Sequence, residues 1–294
     1  MKCPICDSAS MYAGWVKRDC FGEDRKLYRC DKCDHIFVGV MPCKDVIDGY
    51  YQELQTEQSS KYKESYSNRL NFIRKKFIDY LWSGKGVLEV GPGSIGLLPL
   101  LKKRQKYYFF EKNVGNKRSI ALEAKRLEII AAEYEMNGNI DEIDIVISVS
   151  CLEHFSNLNN FIDILNSIRH PHKIIVIIGV PMAEFEICEE AKVAALINYG
   201  ILPVDRDHLH HFSEKSLSIF LRKHDLDIKE TVFPLSQFEI RIFRSYQKAI
   251  HREFTRIGES GVISGKNMLK LVLGKVIKDR FLKDYDFYVV AQMG

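Results

Sequence analysis

The sequence predicts an α/β protein with a doubly wound parallel sheet, preceded by a small cysteine-rich module. From Gly86 onward, short apolar strands alternate with amphipathic helices, which is typical of a parallel sheet covered by helices on both faces. The first of these strands runs directly into a glycine-rich loop, and two Cys-x-x-Cys pairs lie within the first 33 residues. A chain of 294 residues has room for one large domain and one small one.

The cysteine-rich module is defined by the pairs Cys3/Cys6 and Cys30/Cys33. Each Cys-x-x-Cys turn aims two thiolates at one point, and two such turns complete a closed tetrahedral site. Met11–Val16 and Arg25–Arg29 are predicted as the strands of a hairpin between the pairs. About 40 residues bury too little apolar surface to fold unaided, so a bound metal would supply the missing stability. We therefore predict a structural Zn²⁺ ribbon, against the alternatives of four free thiols or a redox pair.

The other cysteines lack paired spacing. Cys20 and Cys43 are expected to be spectators, and Cys151 and Cys188 ordinary buried thiols. The N-terminus shows no apolar run of a secretory signal, and the longest apolar stretch, Ile174–Val180, is far too short to span a bilayer. These features predict a cytoplasmic protein in which structural disulfides are not expected.

The glycine loop follows the predicted strand Val87–Val90 and contains Gly91 and Gly93, before a predicted helix over Ile95–Leu101. Glycines allow a ligand to approach the backbone closely, and a helix start offers free N–H groups. A second strand ends at Glu111, 20 residues after Gly91, where a carboxylate can accept hydrogen bonds from both ribose hydroxyls of a nucleotide. The pattern therefore predicts a nucleotide-type cofactor.

Two cofactors fit this pattern, namely a dinucleotide and S-adenosylmethionine. Glu89 lies two residues before the first glycine, where its carboxylate would repel a pyrophosphate but suit a cationic ligand. This residue favours S-adenosylmethionine and argues against a nicotinamide-dependent oxidoreductase.

At this point the sequence resembles the class I S-adenosylmethionine-dependent methyltransferases, whose first motif is an acid followed by spaced glycines, as in Glu89-x-Gly91-x-Gly93. The resemblance departs at Ile95, where the family often has a third glycine. It implies a Rossmann-like sheet and an acid that serves the methionine end through water or the loop backbone. Glu133 or Glu135, after the third strand, is expected at the adenine edge, with an exposed surface charge as the equal alternative. The cofactor contacts that it implies are Glu89, Gly91, Pro92, Gly93, Glu111, Glu133 and Ser150.

The resemblance continues downstream. Ile143–Val149 is a predicted buried strand, and the following Ser150–Phe155 looks like the family's Leu-Glu-His segment. A helix is predicted over Asn159–Arg169 and a fifth strand over Lys173–Val180. The family arrangement would place the last strand, Phe287–Gln292, antiparallel between the fifth and sixth strands. The N-terminal cysteines further resemble a subgroup that carries a zinc ribbon before such a core, and many of its members act on sugars or other small molecules of surface polysaccharides and secondary metabolism.

Histidines are the candidates for a general base. His154 ends the Leu-Glu-His segment, although a packing role is equally consistent with its position. His208, His210 and His211 precede a helix that Ser213 is expected to cap, beside the expected mouth of the active site. A histidine of near-neutral pKa can take a proton from an acceptor, so His210, His211 and His154 are the catalytic candidates. A metal held by the close histidines is an alternative, and a polar loop that caps and packs is another.

Positive charge is concentrated near the C-terminus. Residues 240–283 hold 11 lysines and arginines against three acidic residues, a local charge of +8 in a chain whose net charge is +4. We predict a helical basic insertion before the last strand that meets an anionic substrate, a lipid surface or RNA, unless it is simply a solvated face.

Together these features predict a zinc ribbon at 1–45, a helical linker or lid at 46–84, and a methyltransferase domain at 85–294 with the insertion at 240–283. The expected activity is transfer of a methyl group from S-adenosylmethionine to a small acceptor, anionic or sugar-containing. The alternatives are an RNA methyltransferase and a non-catalytic binding protein on the same fold. The sequence does not indicate the acceptor, the methylated atom or the oligomeric state.

Overall fold

The computed structural model describes residues 1–16, 21, 24–53, 60–136, 142–168, 173–181, 207–233 and 286–293. The predicted basic insertion at 240–283 lies outside these residues, as do Cys20 and Cys188. The strands of the described part are β1 (Ser10–Val16), β2 (Arg25–Cys30), β3 (Ile36–Val38), β4 (Gly86–Val90), β5 (Lys106–Phe110), β6 (Ile130–Glu133), β7 (Ile143–Val149), β8 (Ile174–Pro181), β9 (His210–His211), β10 (Asp227–Val232) and β11 (Asp286–Met293). Its helices are α1 (Lys44–Glu53), α2 (Ser60–Ser83), α3 (Val114–Leu127), α4 (Asn159–Ser167) and α5 (Glu214–Lys223).

The main sheet has seven strands in the order β10-β11-β8-β7-β4-β5-β6. The strands from β8 to β6 run parallel to one another, and β11 is antiparallel to both of its neighbours. The predicted position of the last strand, between the fifth and sixth strands of the fold, is therefore confirmed.

Helices cover both faces of this sheet. On one face α2 packs Ile73, Phe77 and Leu81 against the strands, and all three side chains are almost fully buried. On the opposite face α4 and α5 contribute Phe161 and Phe220 to a second cluster. The central strands are apolar at successive positions because each of their two faces meets helices. The second half of the predicted 46–84 lid is thus part of the hydrophobic core.

The cysteine-rich module forms a second sheet of order β1-β2-β3-β9. Its hairpin, β1 with β2, agrees with the predicted strands to within a residue. The fourth strand, β9, comes from the main domain, and Ile36 and Phe37 pair with His211 and His210. Cys3, Ile5 and Phe37 of the module share a hydrophobic cluster with Phe212 and Leu217. The module is therefore built into the main domain, because so few residues cannot complete a core alone.

The predicted helix at Ile95–Leu101 is wrong. Turns follow the glycine loop, and only Leu98–Leu100 forms a short 3-10 turn. Gly96 has a φ of +57°, which an α-helix does not accommodate, and Leu101 returns to extended backbone. Pro99 also lacks the N–H that would continue a helical hydrogen-bond ladder.

Among the described helices, none is both long and apolar enough to cross a membrane.

Candidate functional site

The glycine loop lies where β4 ends, at the carboxyl edge of the parallel strands. Gly91 and Gly96 have φ values of +71° and +57°, in the left-handed region that favours glycine. A Cβ at Gly91 would meet the side chain of Cys151, and a Cβ at Gly96 would lie 2.7 Å from the Tyr107 hydroxyl. Gly96 is thus the third glycine of the loop. It lies one position after Ile95, the residue at which the sequence departs from the family's glycine pattern. Its spacing as Gly-x-x-Gly from Gly93 was the signal that could have identified it.

Glu89 lies beneath this loop and is 5% exposed. Its Oε2 accepts a hydrogen bond of 2.6 Å from the Tyr107 hydroxyl and one of 2.7 Å from the backbone N–H of Leu97. Burial raises the pKa of Glu89 to about 7, although these two hydrogen bonds act to lower it. The carboxyl group therefore ties the far end of the loop to β5.

Glu111 follows β5 and borders the same loop. Its Oε2 accepts a hydrogen bond of 3.0 Å from the N–H of Gly93, and its Oε1 accepts one of 2.8 Å from the N–H of Asn113. Burial raises the pKa of this carboxyl, and the backbone hydrogen bonds oppose the rise. The structure thus brings Glu111, Gly93 and the buried Pro92 together at the edge of β4 and β5.

Ser150 follows β7 at the same edge and has a φ of +48°. Its hydroxyl donates a hydrogen bond of 2.8 Å to Asp286 Oδ2, and the same oxygen lies 3.4 Å from Nε of Arg69. From the same helix as Arg69, the Tyr66 hydroxyl donates a 2.5 Å hydrogen bond to the carbonyl of Gly96. Three residues of this site were not predicted from the sequence, namely Tyr66, Arg69 and Asp286. Their signal was weak, namely isolated polar residues on α2 and at the start of β11.

Glu133 stands apart from this group. It is the last residue of β6, its side chain is exposed, and its carboxylate pairs with Lys117 of α3.

The predicted catalytic histidines occupy two different environments. His210 is 1% exposed and stacks on His35 of the ribbon, with ring centroids 5.3 Å apart. Burial lowers the pKa of His210 to about 3, so this ring is neutral at physiological pH. The structure places His210 at the interface between β9 and the cysteine-rich module. His211 is equally buried, and its ring lies 6.0 Å from that of His208.

His154 and His208 lie beside the buried carboxylate of Glu153. His208 was not among the predicted catalytic residues, although it belongs to the predicted histidine loop. Glu153 is in a 3-10 turn, Leu152–His154, that begins one residue after Cys151, the residue packed against Gly91. Burial and the charges of Glu153, Glu111 and Glu89 raise the pKa of the Cys151 thiol. Three carboxylates therefore converge on this region, where their combined potential favours a cation.

The four cysteines of the ribbon form a compact cluster. Cys3 and Cys33 have their sulfurs 3.5 Å apart, as do Cys6 and Cys30, and all four sulfurs lie within 4.8 Å of one another. These separations exclude disulfides, whose sulfurs lie about 2.05 Å apart. They are close to the edge of about 3.8 Å that a tetrahedron with metal–sulfur bonds of about 2.3 Å requires. The backbone N–H of Ile5 points to Cys3 Sγ at 3.4 Å, and the cluster can hold a thiophilic metal.

Solved structures share the fold of the main domain. Magnesium protoporphyrin IX methyltransferase from Synechocystis PCC 6803, with bound S-adenosylhomocysteine, matches over 86% of this chain and 100% of that chain, at 11% identity and a TM-score of 0.51. Phosphoethanolamine N-methyltransferase 2 from Haemonchus contortus, in complex with S-adenosyl-L-methionine, matches over 88% of this chain and 61% of that chain, at 15% identity and a TM-score of 0.47. Coclaurine N-methyltransferase, bound to N-methylheliamine and S-adenosylhomocysteine, matches over 82% of this chain and 76% of that chain, at 12% identity and a TM-score of 0.45.

No protein-family model matches the chain, and no curated protein sequence does. The likeness to solved structures establishes the fold, a Rossmann-like methyltransferase sheet, which the sequence resemblance had implied. At these identities it does not establish the activity.

Proposed function

We propose that this chain is an S-adenosylmethionine-dependent methyltransferase that acts on a small acceptor. The observation that carries the proposal is the arrangement of Glu89, the three-glycine loop and Glu111 at the carboxyl ends of β4 and β5. Ligands of open α/β sheets bind at this edge. A nucleoside there can reach the Glu111 carboxylate with its ribose hydroxyls, and the loop leaves its backbone accessible.

The charge of the site favours S-adenosylmethionine over a dinucleotide. Glu89, Glu111 and Glu153 all act on the Cys151 thiol, so three carboxyl groups share one region. A pyrophosphate would be repelled there, whereas the sulfonium and α-ammonium groups of S-adenosylmethionine would be attracted. We assign Gly91, Pro92 and Gly93 to the methionine end of the cofactor, and Ser150 to the same edge through its hydrogen bond with Asp286.

S-adenosylmethionine would supply an activated methyl group with a neutral leaving group. The protein then contributes mainly alignment and the exclusion of water. Tyr66 and Arg69 of α2 contact the loop and Asp286, so this helix is suited to close the site over the cofactor.

We propose a small anionic or sugar-containing acceptor on the strength of the +8 charge of residues 240–283. The oxyanions of such a molecule would find cationic partners in that segment. An RNA acceptor is the alternative, because the same charge also suits phosphate backbones.

We further propose that Cys3, Cys6, Cys30 and Cys33 bind one structural Zn²⁺. The two sulfur pairs at 3.5 Å support this assignment. A closed four-thiolate set leaves no open coordination position, so the ion would stabilise the ribbon and take no part in methyl transfer. Cysteines that bind zinc and form no disulfide are typical of a reducing compartment, and we therefore propose the cytoplasm.

The experiment that tests the cofactor assignment is calorimetry of the purified chain with S-adenosylhomocysteine, S-adenosylmethionine and NAD. We expect the first two to bind and NAD not to bind. Release of S-adenosylhomocysteine from S-adenosylmethionine in the presence of a panel of phosphorylated sugars and of short RNAs then separates the two acceptor classes. Binding of NAD alone would refute the proposal. Binding of S-adenosylhomocysteine without turnover on either class would point to a non-catalytic binding protein.

A further inference from the structure

A second group of metal-ligand side chains is formed by the 3-10 turn after Cys151 and the histidine loop, apart from the cysteine cluster. It consists of Glu153, His154 and His208, whose candidate ligand atoms lie within 4.8 Å of one another. Oε1 of Glu153 is 4.0 Å from Nε2 of His154 and 3.9 Å from Nε2 of His208. One carboxylate oxygen therefore faces two imidazole nitrogens contributed by two separate segments of the chain.

The tautomer of His154 follows from its other ring nitrogen. Nδ1 of His154 lies 3.1 Å from the backbone carbonyl oxygen of Asp207. A carbonyl only accepts, so Nδ1 must carry the proton and donate it, which leaves a lone pair on Nε2. That lone pair is on the nitrogen nearer Glu153. Histidine ligands of metals typically show this arrangement, with one nitrogen donating to a backbone carbonyl and the other directed at the ion.

The surroundings of Glu153 favour a cation. Glu153 is 1% exposed, and buried charges in proteins are typically paired or coordinate metals. Asp207 adds a second carboxylate, with Oδ1 3.9 Å from Nε2 of His208. The backbone fixes the two segments together, because the N–H of Leu209 donates a 2.9 Å hydrogen bond to the carbonyl of Glu153. The group is therefore held in place by the fold and does not depend on mobile side chains alone.

We propose that Glu153, His154 and His208 bind one first-row divalent metal ion. Two imidazoles and one carboxylate suit Zn²⁺, Mn²⁺, Fe²⁺ or Co²⁺, and three protein ligands leave coordination positions open. With bonds of about 2.0–2.1 Å, a tetrahedral ion needs its ligand atoms about 3.3 Å apart, so small side-chain rotations complete the site. An open position on this ion would take an oxygen of the acceptor, and that role rests on the proposed function. Binding of the ion does not.

The test is a Co²⁺ titration of the full chain to which one equivalent of Zn²⁺ has been added, which the four thiolates take up first, followed by visible absorption and calorimetry. We expect one Co²⁺ per chain, with d–d bands but without the sulfur-to-cobalt charge-transfer band of a thiolate site. His208→Ala and Glu153→Gln should each weaken the Co²⁺ Kd by more than about tenfold, since even outer-shell changes cost that much. His224→Ala is the matched control, because His224 caps the far end of α5 and should leave the Kd unchanged.

Three outcomes of this titration would contradict the proposed metal site. The proposal is overturned if the zinc-loaded chain takes up no Co²⁺, or if both variants bind it like the unaltered chain. It is also overturned if uptake releases zinc and produces the sulfur-to-cobalt band, because the cysteines would then be the site. Zinc content of one per chain in each variant shows that the variant has folded. Calorimetry with S-adenosylhomocysteine on the same sample tests the proposed function separately, since it needs no metal at Glu153.

Discussion

Nε2 of His35 lies 3.1 Å from Nδ1 of His210, although 175 positions separate the two residues in the chain. His35 belongs to the ribbon and His210 to β9, so the contact joins the cysteine module to the main domain. Both rings are buried, and burial lowers both pKa values, so the pair is neutral and shares one hydrogen bond. His210, which the sequence predicted as a general base, therefore connects the cysteine-rich module to the main domain.

Replacing His210 should consequently lower the stability of the fold and leave the affinity for the cofactor unchanged. His210→Ala removes a stacked ring and leaves His35 without this hydrogen bond, so we expect the free energy of unfolding to fall by about 2–4 kcal/mol. Urea denaturation measures this loss. The affinity for S-adenosylhomocysteine should be unchanged in the folded variant. His224→Ala is the control, because the half-buried His224 takes no part in the His35–His210 contact and its loss should cost less than that of His210. A variant of normal stability with weakened cofactor binding would contradict this assignment.

Gly96 should be intolerant of a side chain. In Gly96→Ala the left-handed backbone costs about 1–2 kcal/mol, and the new Cβ would lie 2.7 Å from Pro92 and from the Tyr107 hydroxyl. We expect lower stability in thermal unfolding and, because the loop must shift, weaker S-adenosylhomocysteine binding in calorimetry. Gly49→Ala in α1 is the control, where a Cβ meets nothing within 4 Å and stability should rise by about 0.5–1 kcal/mol. Normal cofactor affinity in Gly96→Ala would show that the glycine loop is not part of the cofactor site.

Glu111 should contribute directly to cofactor affinity. Loss of its carboxylate in Glu111→Ala should cost about 1.5–3 kcal/mol of binding free energy, the range for hydrogen bonds to a charged group. Calorimetry with S-adenosylhomocysteine would register this as roughly a 10- to 150-fold weaker Kd. Glu123→Ala is a matched control, because Glu123 lies on α3 and pairs with Arg126 at the surface. Equal affinities in the two variants would exclude Glu111 from the ribose site.

Glu89 should make cofactor binding depend on pH. Its pKa is raised from 4.5 to about 7, so the folded protein holds a proton there that the unfolded chain has lost, and this group's contribution to stability declines as pH rises between these values. A cationic ligand favours the carboxylate. The affinity for S-adenosylmethionine should therefore rise as pH increases towards about 7 and level off above it. The same titration on Glu89→Gln should lack this rise, and an identical pH profile in both proteins would disprove the assignment.

Loss of the metal proposed for the four cysteines should destabilise more of the protein than the cysteine-rich module alone. The Ser213 hydroxyl donates a 3.1 Å hydrogen bond to the carbonyl of Cys33, and β9 pairs with β3. Cys30→Ser should therefore increase amide hydrogen exchange at Leu209–Phe212 as well as in the ribbon, while amides of β4 stay protected. Cys43→Ser is the control, because Cys43 is exposed and outside the cluster. Increased exchange confined to the first 45 residues would show that the ribbon is an independent module.

Much of the fold could be predicted because its strands carry local signals. Ile143–Val149 is apolar at nearly every position, which a strand buried on both faces requires, and its bounds were predicted to the residue. The strand position of β11 came from resemblance, since its antiparallel insertion leaves no mark in the sequence itself. The helix predicted after the glycine loop does not form. The apolar spacing there reflects the burial of side chains, whereas Gly96 and Pro99 determine the conformation of the backbone.

The candidate site was predictable where chemistry and spacing coincide. The four cysteines and the pair Glu89 and Glu111 were identified in this way, and the structure brings each set together. The roles of the histidine loop, His208–His211, were harder to predict because its side chains lie in two different environments. His208 faces Glu153, whereas His210 faces the ribbon, and this depends on β9 pairing with a strand about 170 residues earlier. Arg69 and Asp286 meet only through the tertiary fold.

The position of β11 sets an order on the assembly of the main sheet. Among the described strands β11 comes last in the sequence, yet it lies inside the sheet, and within the described residues β10 pairs only with β11. On the ribosome, β4 to β8 can pair as they emerge, but β8 gains β11 as its partner only after residues 286–293 have left the exit tunnel. Contacts of such long sequence separation slow folding and leave an unpaired edge exposed meanwhile. A nascent chain stalled before residue 286 would therefore carry an incomplete sheet that is prone to pair with other chains.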